Sequence, residues 1–127
     1  MKTVFGWLKI KKRLKPLLPT LKERKRYLAF EIVSDNKIGD FRTVSKEIMD
    51  KSFEFLGVLG VAKAGIQILP KFWNPGLQRG IIRVSHKHVD ELKAALMFIK
   101  KIDNKEVILK SVGVSGILNK AKERYLK

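Results

Sequence analysis

Residues 26–56 read RYLAFEIVSDNKIGDFRTVSKEIMDKSFEFL, and within this stretch the apolar period changes from two to that of a helix. Arg26–Asp35 alternates. Leu28, Phe30 and Ile32 share one face, and Tyr27, Ala29, Glu31 and Val33 share the other, in a run rich in β-branched and aromatic residues. That is a strand, closed by Asp35-Asn36 and Gly39. From Asp40 to Leu56 the residues Phe41, Val44, Ile48, Phe55 and Leu56 form one stripe, with Arg42, Lys46, Glu47, Asp50, Lys51 and Glu54 opposite. The pattern predicts a helix with Asp40 as N-cap, Gly57 as its stop and a Glu47–Lys51 pair one turn apart. Phe53 falls off the apolar stripe, an odd place for a ring on a bare monomer.

Further along, Gly57–Gly65 reads as a glycine-spaced loop. Ile66–Trp73 and Leu77–Ser85 read as two strands around the turn Asn74-Pro75-Gly76. Val89–Ile99 is a second helix with Val89, Leu92, Leu96 and Ile99 on one stripe, and Phe98 points away from it as Phe53 does on the first. Asp90 and Glu91 suit its first turn, and Lys100 and Lys101 its last. Lys105–Val112 reads as a fourth strand and Ser115–Leu126 as a basic terminal helix. The order β-α-β-β-α-β predicts an α+β fold, the ferredoxin-like or RRM-like split βαβ: four antiparallel strands with two helices on one face. The other face is open unless the terminal helix covers it.

Upstream, residues 1–15 mix Val4, Phe5, Trp7, Leu8, Ile10 and Leu14 with lysines on most sides, and Pro16 and Pro19 mark a linker. Residues 1–26 are therefore read as a basic arm and residues 27–127 as a single domain. The 127-residue chain carries 28 Lys and Arg against 12 Asp and Glu, a formal charge of +16. Ten of those cations precede Tyr27 against one acid, and eight follow Ile99 against three, so the ends are basic and the middle nearly neutral. Such an excess points to a polyanionic partner.

Several chemistries are excluded or unsupported. Cys is absent, which removes disulfides, thiolate metal sites and Cys nucleophiles. No apolar run reaches about 18 residues, so a membrane-spanning helix is not expected. The chain is expected in the cytoplasm, and its high Lys content is compatible with a thermophilic source. His86 and His88 with Asp90 and Glu91 lack a third His, so no metal or cofactor is expected in this chain. The carboxylates interleave with lysines rather than pairing, and no serine lies in a nucleophile-elbow context, so no catalytic residues are expected. Gly113-Val114-Ser115-Gly116 suits either a turn or a phosphate cradle at a helix start. In the third strand, Arg79-Gly80-Ile81-Ile82-Arg83-Val84, Ile81 and Arg83 occupy the positions where an RRM places base-stacking aromatics. Contact with phosphates of folded RNA, or burial under another element, suits them better than base stacking.

These residues also carry a family resemblance. Leu18 to Glu31 (LPTLKERKRYLAFE), the Gly57–Gly65 stretch with Ala62-Lys63-Ala64, Gly80-Ile81-Ile82-Arg83-Val84 and Val112-Gly113-Val114-Ser115-Gly116 resemble the archaeal ribonuclease P protein component 2 family, which has relatives in the eukaryotic ribonuclease P and MRP particles. The family commonly has Thr after the last Ser-Gly, where this chain has Ile117. The resemblance implies a non-catalytic, accessory subunit of a ribozyme that removes the 5′ leader from precursor tRNA. It implies that the RNA holds the catalytic site and the Mg²⁺. It also implies partnership with protein component 3 and other subunits, and self-association is possible. Within that frame Lys22, Arg24, Lys25, Arg26, Arg79, Arg83, Lys120, Lys122 and Arg124 are candidates for RNA contact, and Phe53 and Phe98 for protein docking or, equally, for packing beneath the N-terminal arm. Tyr27 and Trp73 are expected in packing rather than on bases. The rival readings are a general structured-RNA-binding, ribosomal-type or chaperone protein, and a small α/β enzyme.

Overall fold

The structure, a computed structural model, describes residues 24–127; the expected Lys22 contact and the order of the arm lie outside them. The elements are β1 (Lys25–Ser34), α1 (Phe41–Ala64), β2 (Gln67–Asn74), β3 (Arg79–Ser85), α2 (Val89–Met97), β4 (Lys101–Ile102), β5 (Lys105–Ser115) and α3 (Leu118–Tyr125). A single 3-10 turn, His86–His88, leads into α2. The sheet has five antiparallel strands in the order β2-β3-β1-β5-β4, not the four expected. The extra strand is two residues long, too short to show a period in the sequence.

Leu28, Phe30 and Ile32 of β1 are buried on the first face against Val44 and Ile48 of α1 and Leu92 and Leu96 of α2. Burying side chains of this size contributes about 1.5–3 kcal/mol each. Trp73 joins this layer, its ring 6.3 Å from Phe30 and 5.4 Å from Phe41 between centroids, so it packs rather than presenting a face to bases. Asp40 caps α1 as expected, accepting from the Arg42 N–H at 3.0 Å and the Thr43 hydroxyl at 3.1 Å.

Four local expectations are corrected. Gly57 does interrupt α1, with φ 77° and ψ 170°, a conformation open essentially to glycine alone, but helix resumes at once and runs to Ala64. The expected Gly57–Gly65 loop is thus mostly helical, and Gly65 closes it by donating to the Val61 and Ala62 carbonyls. Phe55 is exposed rather than in the core stripe, its ring lying against Phe98 just past α2. Lys51 pairs with Glu54 at 3.3 Å rather than with Glu47. β5 extends to Ser115, so α3 starts only at Leu118 and the Gly113–Ser115 segment is strand, not a cradle at a helix start.

That extension depends on a bulge. Ala29 pairs with Gly113 but Phe30 with Ser111, which leaves Val112 as the extra residue. The bulge reverses the parity of β5: Val107 and Leu109 face the first core before it, and Val114 after it. Gly113 therefore faces the other side, where a Cβ would collide with the Tyr125 ring. There α3 lies on the sheet, with Ala121 and Leu126 buried against Ile81 and with Tyr27, Leu69, Phe72, Leu118 and Tyr125 around them. The terminal helix thus covers the face the sequence left open.

Candidate nucleic-acid interface

α3 is short, and its placement rests on what holds its last turn. Arg79 Nη1 donates to the Tyr125 carbonyl at 2.9 Å, and Asn74 Nδ2 donates to the Leu126 carbonyl at 2.9 Å. Carbonyls at a helix C-terminus have no partner within the helix, and a cation favours that negative end, so both contacts meet a need of the backbone. Arg79 Nε also donates to Glu31 Oε2 at 2.8 Å, and Lys110 Nζ lies 3.8 Å from Glu31 Oε1. The carboxylate therefore sits between two cations, and Arg79 is committed to the sheet and the helix end.

With its apolar side down, α3 turns Lys120, Lys122 and Arg124 outward, all exposed. Lys122 Nζ lies 5.7 Å from the centre of the Phe72 ring. Lys71 and Lys127 border the same shallow depression around Phe72 and Leu126, a pair of cations that the sequence did not single out because they belong to different elements.

The second basic group meets α3 at the start of β1. Tyr27 pairs with both Arg83 and Ser115, so Arg83 shares a cross-strand row with the end of β5. Arg26 Nη1 donates to the Lys25 carbonyl at 3.3 Å, and its guanidinium lies beside Gly116, two residues before α3. Arg24 is exposed, its carbonyl accepting the His86 N–H at 3.0 Å. The structure thus gathers Arg24, Lys25, Arg26, Arg83 and the start of α3 at one end of the sheet. It sets Arg79 apart, under the far end of α3. Arg83 is half-buried, and Ile81 beside it is fully covered. Burial under another element, one of the two uses expected for this strand, is what Ile81 shows.

The two candidate docking rings do not meet each other. Phe53, Phe55 and Phe98 are all exposed, and Phe98 lies against Phe55, with centroids 5.0 Å apart. Val58 and Leu59, just past the kink, are exposed as well. The sequence missed this patch because it assigned Phe55 to the core and Val58–Leu59 to a loop. Another missed residue is Gln78, buried at the β2–β3 turn with a left-handed φ of 54°. It accepts the Ile38 N–H at 2.8 Å and donates to the Ile38 and Pro75 carbonyls, which ties this turn to the loop before α1.

No group of three metal-ligating side chains occurs among the described residues. His86 is exposed on its 3-10 turn, and His88 Nδ1 lies 3.3 Å from Glu91 Oε2. No helix among the described residues is long and apolar enough to cross a membrane.

Residues 26–126 match the model of the Rpp14/Pop5 family. The chain belongs to the Rpp14/Pop5 family. Among its relatives, ribonuclease P protein component 2 of Pyrococcus horikoshii is 38% identical over 117 residues, covering 91% of this chain and 93% of that one. The protein of the same name from Methanosarcina acetivorans is 37% identical over 114 residues, covering 90% and 83%. In fold, this Rpp14/Pop5 chain is similar to a chain in the cryo-EM structure of yeast ribonuclease MRP, with a TM-score of 0.54 at 14% identity over 74% of this chain and 75% of that one.

Proposed function

We propose that this chain is a non-catalytic protein subunit of an archaeal ribonuclease P, which binds and stabilises the catalytic RNA for removal of the 5′ leader from precursor tRNA. The observation that carries this reading is membership of the Rpp14/Pop5 family across residues 26–126, with relatives named ribonuclease P protein component 2 matching nine-tenths of the chain. The four long strands act as an RRM-like split βαβ scaffold whose usual reading face is closed by α3.

In this reading the protein works by electrostatics. A folded ribozyme crowds phosphates together, and a rigid set of cations releases condensed counterions as it takes their place. Lys22, Arg24, Lys25 and Arg26 at the start of β1, Arg83 beside them, and Lys120, Lys122 and Arg124 on α3 make these contacts. Arg79 serves them by holding the end of α3. The RNA keeps the Mg²⁺ and the chemistry, and the protein lowers the Mg²⁺ the fold requires. Phe53, and Phe98 with its neighbour Phe55, dock protein component 3.

The test is an omission assay. Ribonuclease P RNA, the other archaeal protein components and precursor tRNA are mixed at limiting Mg²⁺ with and without this chain. Leader removal should collapse without it and return on its addition. Cleavage indifferent to the chain would overturn the reading.

A further inference from the structure

The end of α2 and the strand β5 leave a groove between them with a volume of about 360 Å³. Met97, Ile99 and Lys100 form one wall, and Ile108 and Lys110 stand on the other. Past Ile108 the groove opens into a second depression that reaches Val33, its direct cross-strand neighbour. Met97 is 72% exposed and Ile108 65%, whereas Val107 and Leu109 on either side of Ile108 are buried. β4 covers this flank of β5 only at Lys105 and Glu106, so no described strand lies alongside from Ile108 onward.

The charge around this floor selects the occupant. Lys100 and Lys110 line the first groove and no carboxylate does, although Lys110 also lies 3.8 Å from Glu31. In the second depression Lys100 and Lys101 stand beside Asp35 and Glu106. A second copy of the chain would bring another +16 to these lysines. The chain's own residues 1–23 hold seven Lys and Arg against Glu23, and would be repelled likewise. RNA would satisfy the lysines but leave Met97, Ile108 and Val33 uncovered, since phosphates gain nothing from an apolar floor. We propose that this groove docks an extended segment of a partner protein in which apolar residues alternate with carboxylates, the apolar side chains on Met97 and Ile108 and the carboxylates on Lys100 and Lys110. The site adjoins the Phe55–Phe98 patch but does not depend on the ribonuclease P reading.

The test uses the full chain, isotopically labelled, and three probes without any catalytic RNA: a twelve-residue peptide alternating Glu and Val, one alternating Lys and Val, and a twelve-nucleotide uridine RNA. The Glu-Val peptide should shift the amides of Met97, Lys100, Ile108 and Lys110 saturably. The double substitution Lys100→Glu with Lys110→Glu, both at exposed side chains, should raise its Kd by about tenfold or more, and Ile108→Ser should weaken it as well. An absent or dispersed response, or an equal response to the Lys-Val peptide, overturns the proposal. So do shifts of the same amides by the uridine RNA, which would make this an RNA groove. Changes on dilution would assign it to a second copy, and changes on Trp7→Ala to the chain's own N-terminal segment.

Discussion

α1 and α2 seal one face of the sheet with a buried stripe that runs along β1, whereas α3 seals the other with eight residues. The first face is closed by packing: Leu28, Phe30, Ile32, Val44, Leu92 and Leu96 interlock with no charged residue among them. The second is closed by a small apolar contact and by polar clamps on the helix end, from Arg79 and Asn74. The surfaces above them differ in the same sense. Outside α1 and α2 the notable exposed residues are rings and aliphatics, Phe55, Phe98, Val58 and Leu59. Outside α3 they are Lys120, Lys122 and Arg124. One side of the molecule thus exposes apolar side chains and the other a row of cations.

The comparison breaks most readily at the first core. Leu96→Ala should cost about 2–5 kcal/mol in denaturant unfolding and leave the RNA affinity of the folded fraction unchanged. A similar loss of affinity in the folded fraction would mean that the two faces are not separable. Gly113→Val should have a smaller effect on stability, about 1–3 kcal/mol, and a larger one on RNA binding. The new side chain takes the place of the Tyr125 ring and displaces α3, which the loss of α3 amide protection in hydrogen exchange would report.

These two residues also show how much of the molecule was legible in the sequence. Leu96 could be read directly, because helical spacing and burial coincide over a straight helix. So could β1, whose alternation holds over its whole length, and the Asp40 cap. Gly113 could not be read, because its role depends on the bulge at Val112, and a bulge is set by pairing with β1 rather than by the residues of β5. Gly57 was legible as a break but not as a kink. The same backbone conformation serves both, and only the return of helix at Val58 tells them apart. The candidate cations were visible as charges. Their grouping was not: Arg79 and Arg83 are four residues apart on one strand, yet one is tied to a helix end and the other lies beside the start of β1.

Arg79 sharpens the contrast between positioning and contact. Arg79→Ala leaves the Tyr125 carbonyl and the Glu31 carboxylate short of a partner, at a cost of about 1–3 kcal/mol in thermal unfolding. Added to it, Glu31→Gln should cost less than in the parent chain, because the pair is already broken. Additive losses would show that the two residues act separately.

The smallest effect on stability belongs to the outer face of α3. Replacing Lys120, Lys122 and Arg124 with Ala should change unfolding free energy by no more than about 0.5 kcal/mol per residue, since none of the three is buried. The same triple variant puts RNA binding by this face to its most direct test, through the affinity of the full chain for ribonuclease P RNA measured across a range of salt. If these three cations contact phosphates, the slope of log K against log salt falls by about 2–3 in the variant, with unfolding unchanged. An unchanged slope would contradict that contact, and would place the RNA on some other face of the molecule.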